Sequence, residues 1–204
     1  MLILVDLDGT VRKTISGEVC PKNWRDQLLF PEAAQRLKVL SEKGYSIYGI
    51  SNQGGCEAIN PDTGKPYKSR GQAIAEMRFF LRMCPWVDRV YFCPNHTTLG
   101  KADDEIIRVC RPWWFPFLTV RREYNGMGDH PDWQTKQGFR KPNTGMIELA
   151  YKQFADEDRS CWPHKIVKPE SVLFIGDRDS DKEAAERYGC QFQWADDWHK
   201  EGLT

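Results

Sequence analysis

A doubly wound α/β fold, with a mainly parallel sheet and helices on both faces, is what this chain predicts. Two observations carry the prediction. Apolar runs recur through the 204 residues, each bounded by turn residues, as strands buried in a parallel sheet require. Stretches with helical spacing fall between those runs, so strands alternate with helices. A third observation gives the sheet a working edge. The first run, Leu2-Ile3-Leu4-Val5, empties into Asp6-Leu7-Asp8, and a later one, Val172-Leu173-Phe174-Ile175-Gly176, empties into Asp177. Open parallel sheets bind ligands beyond the carboxyl ends of their strands. Acids far apart in sequence are therefore expected to meet at one crevice.

Taken in order, residues 1–6 form the first strand. Residues 31–43 form a helix: Pro31 suits a first helical position, Ala34, Leu37 and Leu40 share a face, and Gly44 stops it. Residues 45–50 form the second strand, ending in Ser51-Asn52-Gln53-Gly54-Gly55, and residues 60–66 a turn. A second helix covers 70–83, with Ile74, Met77 and Leu81 inward, and a third strand covers 87–93. Residues 102–110 read as helical. Residues 112–138 are rich in aromatics and have no period. A helix over 143–154 turns Met146, Leu149 and Ala150 inward. A strand at 172–175, a short helix at 181–188 and a strand at 190–194 complete the pattern.

The length suits one domain with a sizeable core. Basic and acidic residues balance at 29 each, so no global field recruits nucleic acid or a membrane, although a local patch remains possible. No apolar stretch approaches the roughly 20 residues of a membrane span. The apolar start meets two aspartates too soon for a signal peptide. Seven scattered cysteines, an odd number, suit reduced thiols in a cytoplasmic protein better than a disulfide framework.

Four short motifs sit where the chain should bring chemistry together: Asp6-Leu7-Asp8-Gly9-Thr10, Ser51-Asn52-Gln53, Arg140-Lys141-Pro142 and Gly176-Asp177-Arg178-Asp179-Ser180-Asp181. Their order and spacing resemble the haloacid-dehalogenase-like (HAD-like) superfamily of phosphohydrolases, over residues 6 to 181. The resemblance implies a Rossmann-like sheet and a Mg2+-dependent phosphomonoester hydrolase. Asp6 would be the nucleophile, forming an aspartyl-phosphate that splits one hard step into two. Asp8 would be general acid and then general base. Along a continuing strand the two side chains would point to opposite faces, so the chain must turn at Asp8, which Gly9 permits. Mg2+ would be held by Asp6, the backbone carbonyl of Asp8, and Asp177, since this ion keeps several waters and needs few protein ligands. Ser51, the Asn52 amide and Arg140 would bind substrate. Lys141 would neutralise the phosphate, and Asp181 would support the site. Asp179 reads as an exposed acid at a helix N-terminus.

The stretch around Arg140-Lys141-Pro142-Asn143-Thr144-Gly145-Met146 is similar to a subgroup holding histidinol-phosphate, heptose-bisphosphate and polynucleotide 3′-phosphatases. These lack a large cap domain, and loops at about 54–69 and 94–138 would choose the substrate. Some members hold zinc in a cysteine-rich loop. Here Cys93, His96 and Cys110 are the candidate ligands, three where tetrahedral zinc needs four, with Cys161 a distant fourth. Residues 108–141 carry seven basic side chains against three acidic ones, interleaved with aromatics such as Trp113, Trp114 and Phe139. Single-strand binders combine such groups. A loop packing its own aromatics would read the same way. The expected substrate is a small phosphorylated metabolite, of sugar or histidinol phosphate type. A nucleic-acid 3′ end is the alternative, and a non-catalytic phosphate-binding module the third reading. No phosphate-cradling Gly-x-x-x-x-Gly-Lys-Ser/Thr is present, so kinase activity is not expected from these residues.

Overall fold

A computed structural model describes residues 1–19, 21–95, 105–111, 119–124, 138–157 and 169–201. The elements in chain order are β1 (Leu2–Val5), β2 (Arg12–Lys13), β3 (Leu28–Leu29), α1 (Pro31–Glu42), β4 (Ser46–Asn52), α2 (Arg70–Met83) and β5 (Arg89–Cys93). They continue with β6 (Glu105–Cys110), β7 (Thr119–Tyr124), α3 (Gly145–Glu157), β8 (Val172–Gly176), α4 (Asp179–Tyr188), β9 (Gln191–Trp194) and α5 (Ala195–Lys200). The main sheet runs β7-β6-β5-β4-β1-β8-β9. Its five strands from β5 to β9 are parallel, whereas β6 and β7 add an antiparallel edge.

β1 lies in the middle, and all four of its side chains are buried. Alternation along the strand divides them between two cores. Ile3 and Val5 meet Ala33 and Leu37 of α1, Met77, Phe80 and Leu81 of α2, and Trp198 of α5. Leu2 and Leu4 meet Met146, Ile147 and Ala150 of α3 and Ala184 and Ala185 of α4. The helices thus cover both faces, as a doubly wound sheet requires.

The helix ends follow local chemistry. Pro31 opens α1. Ser69 and Gln72 form a reciprocal capping box at the start of α2, the Ser-x-x-Gln pattern that satisfies two otherwise orphaned donors. Gly189, at φ +85°, closes α4 in the left-handed conformation.

Two sequence expectations are corrected. Residues 105–110, expected as part of a helix, form β6 instead, antiparallel to β5. Ile106 enters one core while Ile107 and Val109 enter the other, so the β-branched run is buried on both faces. Within the stretch read as aperiodic, residues 119–124 form β7 against β6. Among the described residues no helix is long and apolar enough to cross a membrane.

Candidate active site

The crevice is built at the carboxyl ends of β1, β4 and β8. Asp6 continues β1, its backbone amide donating to the Ile175 carbonyl at 2.9 Å. The chain then reverses within a few residues: the amides of Val11 and Arg12 donate to the Leu7 carbonyl at 3.0 and 2.9 Å, and the Gly9 amide donates to the Arg12 carbonyl at 2.9 Å. Gly9 takes φ +98°. The turn foreseen at Asp8 is what lets Asp6 and Asp8 line one cavity, of about 120 Å³, together with Ser51, Asn52, Gln53, Lys68 and Lys141.

Oxygens of Asp6, Asp177 and Asp181 lie within 4.8 Å of one another. Two glycines permit that approach. A Cβ on Gly9 would fall 2.1 Å from Asp177 Oδ2, and one on Gly176 would fall 2.5 Å from Asp181 Cβ. Buried Lys141 sits among the acids. Its ammonium group bonds Asp6, forms a 2.6 Å ion pair with Asp181 and donates to the Ile50 carbonyl at 3.1 Å. Two of its N–H groups are spent on hydrogen bonds to Asp6 and the Ile50 carbonyl, and Asp181 stands beside it as an ion-pair partner. The Arg178 amide donates to the other Asp181 oxygen at 3.1 Å. Asp179 is exposed at the start of α4, as its sequence context suggested.

Electrostatics separate the two aspartates of the first motif. Burial pushes the Asp6 carboxyl up to about 7, against the opposing pull of Lys141, with Asp181 and Asp8 adding to the rise. Burial acts the same way on Asp8, but the Arg12 guanidinium, 2.7 Å away, with Lys68 and the Gln53 hydrogen bond, outweighs it and holds Asp8 below its ordinary value. Burial raises Asp177 as it raises Asp6, so this pair is short of positive charge. The donor set is all oxygen, so these residues fit a hard divalent cation. Asp6 and Asp177, as predicted, are two of its candidate ligands, and Asp181 joins them. The Asp8 side chain does not join the cluster: it faces Arg12 and Gln53.

The predicted phosphate binders fare differently. Ser51 is buried in the cavity wall and its hydroxyl accepts from Gln53 Nε2 at 2.9 Å, which leaves its proton to give. The Asn52 side chain exchanges a pair of 3.0 Å hydrogen bonds with the Lys141 backbone, so it clamps the lysine's loop to β4. The Arg140 guanidinium donates to the Asn95 carbonyl at 2.8 Å and is not among the residues lining the cavity.

Among the described residues, Cys93 and Cys110 do not meet at one zinc site, in keeping with the expectation that zinc is the lesser prospect. Cys110 is registered opposite Arg89, at the start of β5, whereas Cys93 ends that strand. Four residues of strand put roughly 13 Å between them, far beyond the reach of one tetrahedral ion. His96 and Cys161 lie outside the described residues, as do Trp113, Trp114 and residues 125–137 of the basic aromatic stretch.

Sequence reading missed five contributors. Gln53, Lys68 and Arg12 bracket Asp8, and Val19 and Pro21 bring an unforeseen loop to the cavity mouth. Gln53 stood beside Ser51, the one cue available.

This fold and this constellation define a HAD-like protein. A model of the polynucleotide kinase 3 phosphatase family matches residues 1–199, and the chain belongs to that family. It is 37% identical over 75 residues to the bifunctional polynucleotide phosphatase/kinase of Schizosaccharomyces pombe, a match covering 36% of this chain and 18% of that protein. Among solved structures it is similar to D,D-heptose 1.7-bisphosphate phosphatase from B. bronchiseptica, complexed with magnesium and phosphate. That likeness has a TM-score of 0.56 and 19% identity, over 94% of this chain and 78% of the other. It is also similar to a Mesorhizobium loti protein ascribed to the HAD-like phosphatases, with a TM-score of 0.53 and 19% identity over 92% and 68% of the two chains. At such identities the likeness speaks for the fold.

Proposed function

We propose that this protein is a Mg2+-dependent phosphomonoesterase that works through an aspartyl-phosphate on Asp6. The observation that carries the reading is the convergence of Asp6, Asp177 and Asp181 around one point, with Lys141 between Asp6 and Asp181. A Mg2+ bound by Asp6 and Asp177 would supply charge neutralisation to the phosphate and keep Asp6 ionised. The Asp6 carboxylate attacks phosphorus as the ester oxygen leaves. Asp8 gives that oxygen a proton, then takes one from the water that releases phosphate from Asp6. The Arg12 pair keeps Asp8 ionised in the free protein, and an entering phosphate dianion favours its protonation by like-charge repulsion. Ser51 gives its hydroxyl proton to a phosphate oxygen.

For substrate, the family match supports a polynucleotide 3′-phosphate end ahead of the small metabolite first expected from sequence. The non-catalytic reading is disfavoured, since binding alone does not call for both Asp6 and Asp8. A reducing, cytoplasmic setting fits Cys56, Cys84 and Cys190, which form no disulfide.

The test is phosphate release with Mg2+ from a 3′-phosphorylated oligonucleotide, sugar phosphates, histidinol phosphate and 4-nitrophenyl phosphate. Asp6→Asn is expected to abolish turnover of all of them. Its metal-free melting temperature should equal or exceed that of the parent, because the change removes a buried carboxyl that burial disfavours. Residual turnover by Asp6→Asn would refute the nucleophile.

A further inference from the structure

Both oxygens of Asp8 are held by a closed circuit of buried polar groups. Arg12 Nε donates to Asp8 Oδ1 at 2.7 Å, and Arg12 Nη1 donates to Gln27 Oε1. Gln27 Nε2 donates to the Glu76 carbonyl at 3.1 Å. The Glu76 carboxylate accepts from Lys68 Nζ at 2.8 Å, and Lys68 donates again to Gln53 Oε1 at 3.1 Å. Gln53 Nε2 closes the circuit on Asp8 Oδ2 at 2.8 Å. Arg12, Gln27, Gln53, Lys68 and Glu76 are each at most 6% exposed.

The orientation of the Gln53 amide decides what this circuit does. Its Nε2 serves Asp8 and Ser51 with two donors, and its Oε1 faces an ammonium group. Flipped, the amide would set its oxygen against the Asp8 carboxylate and its NH2 against Lys68, two repulsions at once. Lys68 therefore fixes the amide, and Glu76 fixes Lys68 in a buried ion pair that holds it away from solvent. The loop 54–69, expected from sequence to select substrate, ends by delivering this lysine to the crevice wall.

We infer that Lys68, anchored by Glu76, is a positioning residue for Asp8, acting through Gln53 to aim its carboxyl at the leaving oxygen. The inference rests on the proposed phosphatase reading. Bond making and breaking stay with Asp6 and Asp8, and Lys68 exchanges no proton.

Leaving-group chemistry separates this role from a structural one. An alkoxide must be protonated as it departs, whereas 4-nitrophenolate leaves unaided. The value of kcat/KM covers the steps through transfer to Asp6, so it reports that protonation for an alkyl ester alone. Lys68→Met, Lys68→Arg and Gln53→Met are compared with the wild type, with Mg2+, on 4-nitrophenyl phosphate and on the alkyl ester the wild type hydrolyses fastest. Lys68→Met and Gln53→Met are expected to lose roughly 10- to 100-fold in kcat/KM on the alkyl ester, less than the full contribution of general acid catalysis because the acid is misaimed and not removed. On the aryl ester Lys68→Met stays within about 3-fold of wild type, whereas Gln53→Met, which also loses its bond to Ser51, is judged by the excess of its alkyl loss over its aryl loss. Lys68→Arg recovers part of the alkyl activity. Equal losses on the two esters, or no loss on either, overturn the inference. If Lys68→Met shows no cooperative melt, Lys68→Arg decides, since it keeps the charge facing Glu76 and alters the reach to Gln53: a larger loss on the alkyl than on the aryl ester supports the inference, and equal losses or none overturn it. A wild type that hydrolyses neither ester sinks the phosphatase reading itself, a different outcome from any pattern among the variants.

Discussion

Gly9 and Gly176 keep the crevice open to its own carboxylates. At Gly9 the demand is double: φ is +98°, and the space a Cβ would fill already holds the Asp177 carboxylate. Gly9→Ala therefore costs about 1–3 kcal/mol of backbone strain and displaces one candidate metal ligand. The apparent Mg2+ affinity should fall roughly 10- to 100-fold, as when a ligand loses its support, while far-UV circular dichroism stays unchanged. Mg2+-dependence curves check it, and an unchanged midpoint would mean that Asp177 does not hold the ion. The acids, Ser51 and Lys141 were legible because each ends an apolar run or sits in a motif. Arg12, Gln53, Lys68 and Glu76 were not. What they do depends on partners 4 to 49 positions away, as in the bonds from Arg12 to Asp8 and from Gln27 to Glu76, and a lone buried lysine reads like any loop charge. Arg140 is a reminder that a motif neighbour need not share the cavity: its guanidinium bonds the Asn95 carbonyl.

Among the elements, the loop between β2 and β3 is the one whose role the sequence concealed. Val19 and Pro21 line the cavity mouth, with Val19 89% exposed. Asp26 ties the loop together: its carboxylate accepts from the Ser16 amide at 2.8 Å, the Ser16 hydroxyl at 2.7 Å and the Lys22 amide at 2.9 Å. Those bonds, led by that from the Lys22 backbone, hold its pKa below the ordinary value. A depressed carboxyl stabilises the fold above the unfolded-state pKa of about 3.9 and loses that contribution as pH falls through the lower folded value. Asp26→Asn should therefore melt below the wild type at pH 7, and the difference should begin to shrink as pH drops under about 4 and be gone below the folded value. A gap that persists in acid would show that the carboxylate charge is not its source. At the sheet edge the lesson concerns period. The apolar residues Ile106, Ile107 and Val109 satisfy a helix or a strand, and pairing with β5 decides for the strand. The resulting β6–β7 ribbon carries Arg121 and Arg122. Arg121→Ala with Arg122→Ala should raise KM for a 3′-phosphorylated oligonucleotide and flatten its salt dependence by about one unit of slope per lost phosphate contact. KM for 4-nitrophenyl phosphate should hold, and equal effects on both would return the preference to a small metabolite.

Across the whole molecule, strand order converts distance in sequence into proximity. β1 lies between β4 and β8, so the ends of three strands meet where successive connections leave in opposite directions, the switch point at which open sheets bind ligands. The C-terminal α5 braces the same place from below: Trp198 is buried against the β1 core, and the His199 ring bonds the Thr10 carbonyl at 2.8 Å, within the turn that positions Asp8. The cost of this design is three carboxylates gathered around one lysine, a repulsion that sheet packing must hold in place. A cation that relieves it binds the folded state and not the unfolded chain, so it must raise stability by mass action. At a hundredfold excess over Kd the gain is about 2.7 kcal/mol. For a chain of this length that is roughly 5–10 °C of melting temperature. The rise should appear with Mg2+, disappear on chelation with EDTA along with turnover, and return when Mg2+ is restored. In Asp177→Asn, which removes one carboxylate but leaves the Lys141 pairs intact, the rise should be largely lost. A wild-type melt indifferent to Mg2+ at millimolar concentration would leave the acid cluster without its cation, and the proposed chemistry without its means of charge neutralisation.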